Sequence, residues 1–301
     1  MKLSIVIVSY NTKELLADCL NSIKSAQKHA DTEIFVVDNN SQDGTVDHLN
    51  QYFQWVKLIV NRKNLGFSKA NNQALKKASS KYILVLNPDT KIAKDTIVSM
   101  INFMDKNLKV GIGTCRVLLA NGKLDRDCRR HFPTPWRSLT HFSGISNLFS
   151  GSKLFDEYYM GYLKDDLEHE IDSCVGAFMF IRRSALEKIG LFDENFFFYG
   201  EDLDLCYRFK QSGYRIVYTP ITTIIHYKGA ASGMKSTSAH LTKATNQSKV
   251  RAIRESTRAM RLFYKKHYMQ RYPWIVTWFI ITTTYLVEII RLAKNKTILN
   301  F

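Results

Sequence analysis

Up to about residue 120, short apolar runs alternate with helix-period stretches, and every run stops at a turn rich in asparagine and aspartate. Leu3 to Val8 leads into Ser9-Tyr10-Asn11 and then a stretch with Leu15, Leu16, Cys19, Leu20 and Ile23 on one face. Ile34 to Val37 ends at Asp38 and Asn39-Asn40-Ser41-Gln42-Asp43-Gly44. Leu58 to Val60 precedes Asn64-Leu65-Gly66-Phe67 and a helix over Lys69 to Lys77, and Tyr82 to Leu86 ends at Asn87-Pro88-Asp89-Thr90. Continuous apolar strands separated by amphipathic helices predict an α/β fold with a mostly parallel sheet flanked by helices. In such sheets ligands bind beyond the carboxyl ends of the strands, where Tyr10, Asp38, Asn64 and Asp89 fall. Each of these is also a natural turn former or cap, and the ligand reading gains weight because several strand ends carry the same residue types.

Several function classes drop out at once. No GxGxxG follows the first strand and no GxxxxGK[ST] occurs anywhere, which disfavours dinucleotide and P-loop chemistry. The five cysteines are odd in number and form no CxxC pair, so reduced cytosolic thiols are expected rather than a zinc knuckle or a disulfide framework. The N-terminal apolar run is short and lacks a small-residue cleavage site, which makes it a first strand and not a signal peptide. With 45% apolar residues in 301, the chain can bury a full core as one large domain, or as one domain with an appendage.

Between residues 120 and 172 the alternation gives way to an aromatic, mixed-charge segment containing Arg129-Arg130-His131-Phe132-Pro133-Thr134-Pro135-Trp136. Long segments of this kind often act as lids or binding loops, and acceptor recognition is the role expected of it. Order returns with Val175 to Ile181, a helix over Ser184 to Ile189, and a helix opened by Glu201 and Asp202 that ends at Gly213. Acids in a first turn complement the helix dipole, which would account for them structurally. The Phe196-Phe197-Phe198-Tyr199-Gly200 run before them points instead to a desolvated site, where a carboxylate becomes a better base.

These blocks together resemble the family 2 glycosyltransferases of the nucleotide-sugar-binding GT-A fold, in particular their rhamnosyltransferase-like branch. The resemblance rests on Ile5-Val6-Ile7-Val8-Ser9-Tyr10-Asn11, Val37 to Gly44, Asn64 to Asn72, Leu86-Asn87-Pro88-Asp89, Gly190-Leu191-Phe192-Asp193 and Tyr199-Gly200-Glu201-Asp202-Leu203-Asp204. They occur in the family's order over roughly residues 1 to 230. It implies transfer from a nucleotide-activated sugar with inversion at the anomeric carbon, the donor being dTDP- or UDP-linked and rhamnose a candidate sugar. Ser9, Tyr10, Asn11 and Asp38 would then hold base and ribose, and Asn64 and Gly66 would lie near the nucleotide. Asp89 matches the metal-binding position of the family's DxD motif, whose first position, a contact to sugar or ribose, is here Asn87. Asp202 matches the catalytic base, with Glu201 as the fallback. His226 falls where related enzymes place a metal-binding histidine, although a lone histidine in an apolar strand is also an ordinary packed residue.

The implied cofactor is Mn2+ or Mg2+. A divalent cation stabilises the charge that develops on a leaving diphosphate, and one carboxylate plus one imidazole is sufficient protein ligation when diphosphate and water fill the other positions. The attacking hydroxyl must lose its proton on the opposite face, which calls for a carboxylate about a sugar's width away.

The charge is unevenly placed. Of a net +16, residues 228 to 301 carry +12, with 14 Lys and Arg against Glu255 and Glu288. Residues 249 to 268 read as a basic amphipathic helix, and Pro273 to Ile290, with Trp274, Trp278 and Phe279, as an interfacial helix too wet to span with ease. The expected division is a glycosyltransferase domain over 1 to 230 and a membrane-associating or packing region over 231 to 301. The partners expected are a nucleotide-sugar donor, a glycan or polyprenyl-diphosphate-linked acceptor, an anionic membrane surface at the cytoplasmic face, and a second subunit in a homo-oligomer. No nucleic-acid-binding motif is present, so no nucleic acid is expected; the competing reading is a non-catalytic nucleotide-sugar or polyanion binder, nucleic acid included.

Overall fold

The computed structural model describes residues 2 to 26, 31 to 229 and 246 to 297. The expected boundary at 230/231 lies outside them, as do the tail cations Lys235 and Lys243. In chain order the elements are β1 (Leu3–Ser9), α1 (Lys13–Ala26), β2 (Thr32–Asp38), α2 (Thr45–Tyr52), β3 (Lys57–Val60), α3 (Phe67–Leu75), β4 (Tyr82–Leu86), β5 (Thr90–Ile92), α4 (Thr96–Lys106) and β6 (Val110–Leu119). They continue with α5 (Pro135–Phe142), α6 (Ile145–Leu148), β7 (His169–Ile171), β8 (Phe178–Arg182), α7 (Arg183–Ile189), α8 (Glu201–Gln211), β9 (Arg215–His226), α9 (Asn246–His267) and α10 (Trp274–Thr297).

One sheet of order β3-β2-β1-β4-β8-β6-β9-β5, with β7 also on β9, carries the fold. β3, β2, β1 and β4 are parallel, as the βαβ rhythm requires, so Asp38 closes its strand, and Tyr10, Asn61 and Asn87 follow theirs, at one edge of the sheet. Helices cover both faces: Leu16, Cys19, Leu20 and Ile23 of α1 are buried, as are Ile5, Ile7, Val36 and Leu84 of the strands. Each such aliphatic contributes about 1.5–3 kcal/mol by leaving water.

The other half of the sheet is mixed. β8 is antiparallel to both β4 and β6, β6 and β9 are parallel, and β5 and β7 run against β9. The apolar run of β8 is indistinguishable from that of a parallel strand, because burial of both faces sets that pattern and strand direction does not. The strand opens at Phe178; Val175, Gly176 and Ala177 belong to the loop before it.

Residues 249 to 268, read as a basic amphipathic helix, fall almost wholly in α9. The apolar stripe of α9 is spent on the body: Ala259, Phe263, Tyr264 and Tyr268 are buried, and Phe263 packs on Tyr207 of α8 and on Phe132. His267 and Lys266 both reach Asp204 of α8, at 2.8 and 2.7 Å. α10 lies on α9 through Glu288, which accepts from Thr257 at 2.7 Å and pairs with Arg261 at 2.8 Å. Its far side exposes Trp274, Ile275, Trp278, Leu286 and Ile289. Over Trp274–Asn295 this helix is long and apolar enough to cross a membrane.

Candidate active site

A cavity of about 970 Å³ opens at the carboxyl ends of the parallel strands. The structure brings Tyr10, Asn64, Gly66, Asn87, Asp89, Glu201, Asp202 and His226 to its walls. Ser9, Asn11 and Asp38 do not line it. The hydroxyl of Ser9 is turned inward onto Thr12 at 2.9 Å, the side chain of Asn11 caps the Gln42 amide at 2.7 Å, and Asp38 accepts from the Ser41 amide at 2.9 Å. These three shape the turns under the cavity, although Oδ1 of Asp38 is buried without a hydrogen-bond partner.

The loop bearing Asn64 is held by Asn39. Its amide nitrogen donates to Oδ1 of Asn64 and to the carbonyl of Gly66, while its oxygen accepts from the Leu65 amide. Gly66 has φ +82°, and a Cβ there would lie 2.5 Å from the carbonyl oxygen of Phe197. The Phe67 amide donates to that same carbonyl at 2.7 Å, so glycine is what allows the strand-end loop to touch the loop that leads to the acids.

Asp89 and His226 face each other because β5 and β9 pair just beyond Asp89, with Thr90 opposite His226. Oδ1 of Asp89 is 3.4 Å from Nε2 of His226, and both residues are buried. Nδ1 of His226 donates to Oδ2 of Asp125 at 2.9 Å, which fixes the ring so that Nε2 points at Asp89. Burial opposes charge on the imidazole, but the carboxylates of Asp125 and Asp89 outweigh it and push His226 up to about 9. One carboxylate oxygen and an oriented imidazole suit a divalent cation, which would have to displace the Nε2 proton that the two carboxylates favour. Among the described residues no group of three or more His, Cys, Asp or Glu is set to hold a metal alone, so further ligands would have to come from substrate and water.

From this pair a line of alternating charges runs to the acids. Lys228 contacts both Asp125 and Asp127; Asp127 lies 3.8 Å from Arg130; and Nη2 of Arg130 donates to Oδ2 of Asp202 at 2.7 Å. Asp125, Asp127, Arg130 and Lys228 are all absent from the sequence-based site. Three of them come from the irregular segment after β6, around a 3-10 turn at Arg126–Cys128, so that segment builds the site floor as well as its rim. The clue in the sequence is the density of charge over Asp125 to Arg130.

The acids are presented by a tight turn. Tyr199 and Gly200 adopt φ +72° and +82°, an uncommon conformation for a tyrosine, and so turn the chain directly into α8. Oδ1 of Asp202 accepts from the Leu203 amide at 2.7 Å. With one partner on each oxygen, the carboxylate keeps lone pairs for a substrate proton. Glu201 differs. Its Oε2 is buried without a partner, and burial together with the neighbouring Asp202 charge raises its carboxyl to about 8. All five cysteines are free and buried.

A family model described as Glycosyl transferase family 2 matches residues 4–190. Relatives in sequence include N-acetylglucosaminyl-diphospho-decaprenol L-rhamnosyltransferase of Mycobacterium tuberculosis (strain ATCC 25618 / H37Rv), 25% identical over 249 residues, which span 77% of this chain and 78% of that one. Rhamnosyltransferase WbbL of Escherichia coli (strain K12) is 25% identical over 237 residues, 74% and 82% of the two chains. In structure, mannosyltransferase PcManGT from Pyrobaculum calidifontis, solved with GDP-Man and Mn2+, superposes with a TM-score of 0.54 at 15% identity over 97% of this chain and 87% of that one. GalNAc-T7, solved with UDP, GalNAc and Mn2+, does so at 0.55 and 16% over 75% and 44%. Those likenesses show the fold, the family match shows the lineage, and the chain belongs to glycosyl transferase family 2.

Proposed function

We propose that this glycosyltransferase moves a sugar from a dTDP- or UDP-linked donor, with inversion, to a hydroxyl of a lipid-diphosphate-linked glycan at the cytoplasmic face of a membrane. The observation that carries the reading is the union, in one cavity, of the Asp89–His226 pair with the Glu201–Asp202 pair. The sequence relatives are named for rhamnosyl transfer, one of them onto N-acetylglucosaminyl-diphospho-decaprenol, which supports a lipid-linked acceptor and rhamnose as a donor sugar. The structural relatives hold nucleotide, sugar or nucleotide-sugar together with Mn2+, which supports the donor class and a divalent cation.

In this reading Asn39, Asn64 and Gly66 shape the nucleotide end of the cavity. Asp89 and His226 would hold Mn2+ or Mg2+, which when bound would stabilise charge on the departing diphosphate. Asp202 accepts the proton of the attacking hydroxyl, and Arg130 fixes its orientation. Glu201 is the poorer base, because a carboxyl at about 8 is mostly protonated at neutral pH; it is suited to donate a hydrogen bond to the acceptor. A non-catalytic binder has no need of both pairs in one cavity.

Calorimetry with a panel of nucleotide sugars, with and without Mn2+, tests the metal assignment. Asp89→Ala is expected to abolish the Mn2+-dependent part of donor affinity while cooperative unfolding is retained. Unchanged metal-dependent affinity would remove Asp89 from the site.

A further inference from the structure

Beyond the acids, the cavity continues between α5, α9 and α10 and changes character. Its walls there include Leu139 and Phe142 of α5, Met260 and Phe263 of α9, and Ile280 and Val287 of α10. None of these can hydrogen-bond to a sugar, and the hydroxyls of Ser256, Tyr264 and Thr284, which line the same part, are engaged with Ile253, Thr277 and Ile281, so a glycan lodged here would find few partners for its own hydroxyls. One wall belongs to α10, the helix whose opposite side exposes Trp274, Trp278 and Leu286. A single helix therefore faces the apolar cleft on one side and presents a lipid-compatible surface on the other.

A cation stands beside the cleft. Arg251 of α9 lines the cavity, is exposed, and lies with its guanidinium 4.2 Å over the ring of Phe197, in the loop that delivers Glu201 and Asp202. The carboxylate one turn further on, Glu255, is 3.6 Å from Arg258. Among the described residues, the other Lys and Arg at the cavity, Arg130 and Lys228, are engaged with Asp202, Asp125 and Asp127.

We propose that the cleft between α5, α9 and α10 seats the isoprenoid chain of the acceptor, and that Arg251 holds its diphosphate, so that the head-bound sugar reaches Asp202. The assignment rests on the transferase reading for its acceptor class. Its own support is the apolar lining, its continuity with the acids, and a cation where the lipid's only charge would lie. An isoprenoid enters such a cleft from the bilayer side along α10 without crossing water, which neither a soluble glycan nor a peptide requires.

The test uses the full-length chain in detergent micelles, titrated with undecaprenyl diphosphate and with geranyl diphosphate, the same head on a short chain. The long chain is expected to bind at least tenfold more tightly, roughly what burial of a few methylenes supplies. Thr283→Trp, which fills the cleft from an exposed position on α10, and Phe142→Asp, which places charge in its α5 wall, should each erase that margin. Arg251→Gln should weaken both lipids by a similar factor. Equal affinity of the wild-type chain for the two lipids, or a margin untouched by both cleft variants, would overturn the proposal. Donor hydrolysis by the same preparation separates the two readings. Hydrolysis without a chain-length margin rejects the cleft alone, whereas a margin without hydrolysis or transfer supports the cleft and rejects the transferase.

Discussion

Arg130 is the side chain through which the two ends of the site communicate, since it binds Asp202 while its neighbour Asp127 is shared with Lys228. That contact orients Asp202, the proposed base, and the distinction between it and Glu201 becomes measurable. Asp202→Asn should leave donor affinity intact and slow transfer by roughly a hundredfold to ten-thousandfold, the usual worth of general-base catalysis. Glu201→Gln, which mimics the protonated acid, should cost less than about tenfold. Steady-state rates with matched calorimetry decide it, and the opposite pattern would exchange the two roles. At this scale the sequence revealed the groups that sit in strand-end turns, Asp89 and Asn64 among them, and the acids that open α8. Asp125, Asp127, Arg130 and Lys228 stayed hidden because they meet only through tertiary packing of an irregular segment onto the end of β9. No periodicity marks such residues, and each alone reads as a solvated charge. Ser9, Asn11 and Asp38 show the reverse: strand-end polar residues that serve the turn first.

Among the elements, the contact between the Gly66 loop and the Phe197 loop ties the strand edge to α8. Gly66→Ala combines a left-handed φ with a Cβ 2.5 Å from a backbone oxygen, so one of the two loops must move. A loss of about 1–3 kcal/mol is expected, together with weaker donor binding, because the displaced loops both line the cavity. Thermal unfolding and nucleotide-sugar calorimetry on the variant check this; unchanged values of both would show that the contact is slack. The first four strands were legible from their apolar runs because each is bounded by a turn and followed by an amphipathic helix. The direction of β8 was not, since Phe178 to Ile181 is buried on both faces whichever way it runs. The fate of α9 was likewise ambiguous: a stripe of Ala259, Phe263 and Tyr264 fits a bilayer or a protein surface equally well, and only the presence of Tyr207 and Phe132 as partners selects the latter.

For the molecule as a whole, the consequence is that truncation after residue 229 would strip α9 from the core along with α10, and so cannot report on membrane binding alone. Substitution within the intact chain can. Replacing exposed Trp274, Trp278 and Ile289 by serine should abolish co-sedimentation with phosphatidylglycerol vesicles at high salt, where only apolar burial remains, while at low salt the basic residues, worth about 1 kcal/mol each near the surface, retain part of it. Equal sedimentation of variant and parent at high salt would remove α10 from the membrane role. On the proposed reading, in which α10 is at once a wall of the reaction cavity and the surface docked on lipid, the enzyme searches for its acceptor in two dimensions. Its turnover is then governed by how crowded the bilayer is with acceptor and not by how much acceptor the whole solution contains: diluting the same vesicles with inert lipid slows the enzyme, whereas diluting them with buffer does not.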